Sequence, residues 1–366
     1  MNSLRHTFNI SWRRTSKSQN VFMSYERIPL SPPVIAALNR IDAGPLWSVM
    51  IPVYNCSQYL PQLLESVLGQ DPGPGLMQIE VIDDNSTDAN VQEIVETIGG
   101  GRVGYYRQPE NVGSLRNFET CLNRAKGKWV HLLHGDDFVS PGFYNEIKLL
   151  FETYPEAGAA FTGFHYVDED SAVLYPNKAL SEKPGYIENW LDIISQSQCI
   201  QPPAMVVKRS VYEELGAFFG VHYGEDWEMW VRISYRFPIV HSPLALANYR
   251  IHTTNITSRY FLSGQNIRDI RKVIEMIQHY LPADKRRHLR RQANRNFSIY
   301  FAKTSDMVYH GYKLRWQAFQ QAIAALKMDV NPTTFYFVVK LFVKNALRYQ
   351  SKREKSMALS ASGSGN

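Results

Sequence analysis

Between residues 47 and 154, apolar runs alternate with helical patterns, and this alternation restricts the fold more than any other feature of the chain. Trp47 to Val53, Ile79 to Ile82, Arg102 to Tyr106 and Lys128 to Leu133 read as strands. After the first, Leu60, Leu63, Leu64, Val67 and Leu68 fall at i, i+3, i+4, i+7 and i+8, one apolar face of a helix. Asn85-Ser86-Thr87-Asp88 offers turn and cap chemistry for a helix through Ile98. Ser114 to Ala125 gives a third helix, and Ser140-Pro141 caps a fourth through Tyr154. Such alternation predicts a parallel sheet with helices on both faces, its strands ending on one shared edge. Tyr54-Asn55, Asp83-Asp84, Arg107-Gln108 and Asp136-Asp137 are then expected to cluster there.

The sharpest of these strand ends is Leu132-Leu133-His134-Gly135-Asp136-Asp137. An apolar run stops at two adjacent carboxylates, which repel each other unless a cation lies between them. Gly-Asp-Asp is also ordinary turn composition. The clustering with three other strand ends favours a hard divalent cation serving a phosphate-bearing ligand.

Net charge is +6, unevenly placed. Arg5, Arg13, Arg14, Lys17, Arg27 and Arg40 face a single acid, Glu26, in the first forty residues. Further basic clusters run from Lys285 to Arg295 and from Lys340 to Lys355. Basic ends around a balanced centre suggest contact with an anionic surface. Cys56, Cys121 and Cys199 form neither a disulfide framework nor a zinc spacing and are read as free thiols of a reducing compartment. The first thirty residues lack the apolar core of a signal peptide. No run approaches the ~20 apolar residues of a spanning helix. Met23 offers a second start, which would make residues 1–22 an extension.

The second half reads as strands at Ala159 to Val167, Met205 to Val207 and Ile239 to Tyr249, with helices at Ile187 to Ser197 and from Glu225-Asp226 through Tyr235. Beyond Gly264 the pattern is mostly helical and increasingly basic.

Six motifs follow in order: Ile51-Pro52-Val53-Tyr54-Asn55, Val81-Ile82-Asp83-Asp84-Asn85-Ser86-Thr87-Asp88, Asn111-Val112-Gly113, Gly135-Asp136-Asp137, Gly224-Glu225-Asp226-Trp227, and Tyr249-Arg250-Ile251-His252 with Asn255. In this order, over roughly residues 47–258, they resemble the family-2 glycosyltransferases. The resemblance implies an α/β fold of the GT-A type, a Rossmann-like, mixed and mostly parallel sheet flanked by helices, with a helical C-terminal extension. It divides the chain into an irregular basic extension (1–46), a glycosyltransferase domain (47–258), a helical region (259–350) and a flexible tail (351–366).

It implies an inverting, metal-dependent hexosyl transfer from a nucleotide-diphospho-sugar, a UDP-sugar foremost, to a saccharide or lipid-linked saccharide, as in polysaccharide synthesis. Pro52, Tyr54, Asn55, Asp83, Asp84, Arg116, Asn117, Asp136 and Arg250 are the nucleotide-binding residues so implied, with Asp84 the more structural of its pair. Asp136, Asp137 and His252 would hold Mg²⁺ or Mn²⁺ against the diphosphate. Asp226 is the expected general base, with Glu225 orienting it or meeting an acceptor hydroxyl. Trp227 is a candidate sugar-stacking ring, Trp230 a core residue, and Pro202-Pro203 part of the acceptor wall. The family often has Asp-x-Asp-Asp where this chain has His134, which leaves the ribose contact open to a hydrogen bond or to simple packing.

Pro332 to Tyr349 reads as an amphipathic helix with a basic stripe at Lys340, Lys344, Arg348 and Lys352. It suits peripheral attachment to the inner face of the cytoplasmic membrane, or packing on the domain. Three rival readings fit the sequence less well. A nucleotide-sugar-binding module without catalysis is favoured only by His134. A dinucleotide oxidoreductase lacks a G-x-G-x-x-G after the first strand. A nucleic-acid binder lacks any recognised motif.

Overall fold

The structure, a computed structural model, describes residues 27–38, 44–176, 179–252, 260 and 263–347. Its strands are β1 (Trp47–Val53), β2 (Met77–Asp83), β3 (Gly104–Arg107), β4 (Trp129–Leu132), β5 (Phe138–Val139), β6 (Ala159–Val167), β7 (Val173–Pro176), β8 (Gly185–Tyr186), β9 (Met205–Lys208) and β10 (Ile239–Arg250). The helices of the first half are α1 (Leu60–Leu68), α2 (Val91–Gly99), α3 (Ser114–Arg124), α4 (Phe143–Thr153), α5 (Trp190–Ile194), α6 (Arg209–Leu215) and α7 (Glu225–Arg236). The C-terminal region adds α8 (Gln265–Ile277), α9 (Arg286–His310), α10 (Arg315–Met328) and α11 (Pro332–Ala346).

One sheet runs in the order β3-β2-β1-β4-β9-β6-β10-β5, with β7 beside β6 and β8 beside β10. The strands β3, β2, β1 and β4 are parallel, as the alternation requires. β9 runs antiparallel to both β4 and β6, and β10 returns parallel to β6. The chain leaves β1 for β2 and β3 on one side and comes back to β4 on the other. That reversal opens a crevice at the strand ends, where open α/β sheets hold ligands.

Every residue of β1 is buried. A central strand seldom tolerates proline, because Pro cannot donate to the ladder. Pro52 is tolerated because the β1–β4 pairing stops at Met50–Leu132, so the missing N–H falls where the neighbour has already turned away. Its carbonyl instead accepts from Gly135 N at 3.1 Å.

Several boundaries differ from the sequence reading. The cap of α2 is Asn90, which accepts from Glu93 N, whereas the Asn85–Asp88 turn pairs with the β1 loop. The fourth helix begins after Gly142 rather than at Pro141, since Ser140 is hydrogen-bonded to Leu246 O on β10. The helix read over 187–197 shrinks to the single short α5. Residues 27–38, irregular as expected, are nonetheless a packed strap. Ile35 is buried in the core, Ala217 N and Gly220 N donate to Pro33 O and Pro29 O, and the buried Arg209 reaches Ala36 O at 2.7 Å.

The helical C-terminal region shares the main hydrophobic core. Ile267, Ile270, Ile274, Phe297 and Phe301 belong to the same buried cluster as β1 and β2. A smaller cluster around Val308, Ala322 and Leu341 joins α9, α10 and α11. Among the described residues no helix is long and apolar enough to cross a membrane.

Candidate active site

The ends of β1 and β2 are stitched together by short polar side chains. Asn55, at φ +50°, accepts from Thr87 N at 2.8 Å, and its own N–H donates to Ser86 Oγ. Asp83 is fully buried: one oxygen accepts from Ser86 N at 2.8 Å, the other from Tyr105 OH at 2.8 Å and the Arg107 guanidinium. Asp84 accepts from Val112 N, Gly113 N and Asn111 Nδ2 at 2.7–2.9 Å, placing a carboxylate at the N-terminus of α3. Burial pushes its carboxyl up to about 6 against those donors.

Of the residues read as nucleotide contacts, Tyr54 and Asn55 are exposed, whereas Asp83 is buried with both carboxylate oxygens engaged within the protein. Arg116 pairs with Glu119 at 2.7 Å and lines a groove of about 870 Å³ with Arg27, Tyr106, Asn111 and Arg124. Two others turn inward. Pro52 is buried in β1, and Asn117 is buried with its amide donating to Ile82 O at 2.9 Å. Asn117 therefore ties α3 to β2.

At the end of β4 the chain turns tightly, with Asp137 N donating to His134 O. Gly135 is required there, because a Cβ would lie 2.7 Å from Cys56 Sγ and 3.0 Å from Val53 Cγ2. The two-residue β5, invisible to periodicity, then pairs with Ala247 and Asn248 and draws the end of β10 over the acidic pair. Asp136 meets His252 at 2.9 Å (Oδ2 to Nε2). Asp137 accepts from Arg250 N through Oδ1, while its Oδ2 is buried with no partner. Burial and the adjacent Asp136 push the Asp137 carboxyl well up. Burial also acts to raise Asp136, but the His252 hydrogen bond and the charges of His134 and His252 outweigh it and hold this carboxyl below its ordinary value.

The Arg250 side chain does not fit the phosphate role read for it. It is buried, and all three guanidinium nitrogens are engaged within the protein: Nε with Asp136 O, Nη1 with Asp168 O, Glu169 O and Ser171 Oγ, and Nη2 with Gln62 Oε1. It also lies 4.5 Å over the Tyr59 ring. Arg250 is the fastener of the Asp136–Asp137 turn. Among the described residues no three His, Cys, Asp or Glu side chains converge as a ready-made metal centre. The orphaned Asp137 oxygen beside Asp136 nevertheless fits a hard cation, since Mg²⁺ commonly takes one or two carboxylates and completes its shell with phosphate and water. Asn255 lies outside the described residues.

The second acidic pair opens α7. Gly224 precedes it at φ +87°, where a Cβ would also lie 2.8 Å from Ile270 Cδ1. Asp226 accepts from Trp227 N at 2.7 Å through one oxygen and from Gln198 Nε2 at 2.5 Å through the other. Burial pushes Asp226 up to about 7. Burial and the Asp226 charge push Glu225 well above its ordinary value. Trp227 is not a sugar platform: it is buried, bonds Ile194 O through Nε1 and packs 4.6 Å from the Phe297 ring. His134 stacks on Phe118 at 5.0 Å. A small cavity of about 10 Å³, room for roughly one water, brings His134, Glu225, Asp226, Pro202 and Trp230 together.

Sequence reasoning missed Gln198, Tyr59, Gln62 and Tyr105 as supports of this site. Tyr105 lies two residues before Arg107, the register partner of Asp83, so the β2–β3 pairing would have found it. Gln198 sits in an irregular stretch and carried no signal.

An α/β sheet with this order, with paired carboxylates at the end of β4 and the start of α7, is the arrangement of the GT-A fold. Solved structures agree on the fold. Residues 1–349 of TarS from S. aureus, in complex with UDP-GlcNAc, superpose with a TM-score of 0.58 at 14% identity, covering 80% of this chain and 83% of that one. The mannosyltransferase PcManGT from Pyrobaculum calidifontis, in complex with GDP-Man and Mn²⁺, gives 0.52 at 14% identity, covering 93% and 88%. Residues 48–216 match the family profile described as Glycosyl transferase family 2. The match ends before Glu225-Asp226 and the β10 residues. An uncharacterized glycosyltransferase of Haemophilus influenzae is 24% identical over 244 residues, 65% of this chain and 75% of the relative. An uncharacterized protein of Mycobacterium tuberculosis is 25% identical over 252 residues, 63% and 75%.

Proposed function

We propose that this protein transfers a hexose, with inversion, from a nucleotide-diphospho-sugar to a saccharide hydroxyl. UDP is the proposed nucleotide. Residues 47–258 would carry the transfer and 259–350 would back it. The observation that carries the reading is Asp226: a buried carboxyl pushed up to about 7, held by Gln198, beside Glu225 at the start of α7. A general base works best with a pKa near the operating pH. Asp226 would take the proton of the acceptor hydroxyl while that oxygen bonds the anomeric carbon and the diphosphate departs from the opposite face. Glu225 would orient Asp226 or meet an acceptor hydroxyl. The relatives with bound UDP-GlcNAc and GDP-Man support a nucleotide-sugar donor.

Asp136 and Asp137 would hold Mg²⁺ or Mn²⁺, with His252 orienting Asp136 from its hydrogen-bonded position. When bound, the cation would withdraw charge from the departing diphosphate. Tyr54, Asn55 and Arg116 are proposed to meet the nucleotide, with Asp83 holding the loop through Ser86, Tyr105 and Arg107. A lipid-linked acceptor, as in the synthesis of cell-surface polysaccharide, would place the protein at the inner surface of the cytoplasmic membrane.

Asp226→Asn tests the base. Release of nucleoside diphosphate should fall about 10³-fold, with nucleotide affinity within about twofold. Undiminished turnover would remove Asp226 from the role. Asp137→Ala tests the cation: UDP titrated calorimetrically should bind about tenfold more weakly with Mn²⁺ present and equally without it. Equal affinity in both conditions would reject the assignment.

A further inference from the structure

The helix α11 turns its two faces opposite to what its basic stripe suggests. Lys340 and Lys344 point inward, reaching the Asp306 carboxylate of α9 at 2.8 and 3.0 Å, and Leu341 between them is fully buried. The outward face is apolar along the whole helix. Phe335, Tyr336, Val339, Phe342 and Val343 are exposed, Phe335 and Phe342 each at 61%, and no exposed residue of α11 bears a charge. The patch continues onto α10. Phe342 lies 6.4 Å from the Phe319 ring, which lies 6.1 Å from the ring of Trp316, itself 64% exposed. Monomeric soluble proteins rarely leave an apolar surface of this extent uncovered without a binding role.

The rim of the patch is cationic. Lys313 and Lys327 are exposed near the two ends of α10, and Arg315 is half-buried beside Trp316. Beyond the described residues the sequence carries Arg348, Lys352, Arg353 and Lys355 against the single acid Glu354. A two-fold contact between copies would set each basic rim against its twin, since such an interface uses the same patch twice. An anionic surface has the opposite charge and an apolar layer behind it.

We propose that the exposed face of α10 and α11 docks on an anionic lipid surface, with Trp316, Phe335, Tyr336 and Phe342 entering the interfacial layer and the basic rim meeting the headgroups. Aromatic rings favour that depth, and clustered Lys and Arg are drawn to anionic leaflets. The proposal rests on the membrane reading above for its purpose, and on α11 for its geometry. Asp306 is what makes it specific: it takes up the two lysines that would otherwise interrupt the apolar face.

The test is flotation of the intact chain, without donor or acceptor, on phosphatidylcholine vesicles with and without phosphatidylglycerol. The protein should float with the anionic vesicles and about tenfold less with the neutral ones or at high salt. Phe335→Glu with Phe342→Glu should lower flotation about tenfold or more, while Leu149→Glu, an exposed leucine on α4, should leave it unchanged. Trp316→Glu provides the same reading should the double variant misfold. Equal flotation of parent and variants would overturn the proposal. So would light scattering showing a dimer that the double variant splits, with no vesicle binding in the parent. Either result leaves the transfer chemistry of Asp226 untouched, because no sugar enters the assay.

Discussion

Asp83-Asp84 and Glu225-Asp226 are both adjacent acidic pairs, yet the protein holds them in opposite ways. The four oxygens of the first pair are engaged by Ser86, Tyr105, Arg107, Asn111, Val112 and Gly113. The second pair has the Trp227 N–H and the Gln198 amide on Asp226, and it borders a cavity with His134 and Trp230. Donors fix a carboxylate in place and favour its charge; burial without enough donors leaves its proton easy to exchange. The first pair therefore holds a loop rigid for a ligand to rest on. The second is poised for proton transfer.

The comparison predicts that one conservative change has opposite consequences at the two places. The largest effect is the roughly 10³-fold loss of turnover expected for Asp226→Asn. Asp84→Asn comes next, costing about 2 kcal/mol in urea unfolding, because charge-assisted bonds to the Asn111–Gly113 turn are lost. A neutral result there would mean that the loop is held by something other than its carboxylate. Gln198→Leu should then move the acidic limb of kcat/KM upward by about one pH unit, since it deletes a donor that favours ionised Asp226. An unmoved limb with lower activity would make Gln198 a purely structural residue.

The smallest effect concerns stability. The Asp226 carboxyl is raised in the folded state from its ordinary 3.8 to about 7, so its favourable contribution is complete below 3.8 and lost as pH rises through 7. An Asn at 226 never ionises. Asp226→Asn should accordingly melt a few degrees higher than the parent at pH 8, with the gap narrowing at pH 5. A constant difference across that range would place the strain elsewhere than in the buried charge.

The parallel half of the fold was legible because its strands are continuous apolar runs and its helices amphipathic. β6 was read to the residue, since Ala159 to Val167 is nearly all apolar or aromatic. β5 was not, because two residues carry no period. Motif order located Arg250 next to the acidic pair but said nothing of where its guanidinium points; that depends on Gln62, Asp168 and Ser171, which come from distant parts of the chain. Asn117 and Trp227 turn inward for the same reason, being polar or amphipathic groups whose partners, Ile82 O and Ile194 O, are supplied by other elements. The stripe at Lys340 and Lys344 was real, but its direction was set by Asp306, thirty-four residues from Lys340. Spacing reveals which residues share a face; only packing reveals what that face meets.

The strap at residues 27–38 has a practical bearing on how this enzyme can be trimmed. Arg209 is buried at the start of α6, its guanidinium reaching Leu122 O and Ala36 O, with Glu213 3.2 Å away. Cutting the chain at the first strand would strip one acceptor from a cation that water cannot easily reach, and would uncover the flank on which Ile35 sits. Translation from Met23 would retain all of these contacts. For anyone choosing expression boundaries, the working edge of the catalytic fold lies some twenty residues before β1, in a segment without regular secondary structure.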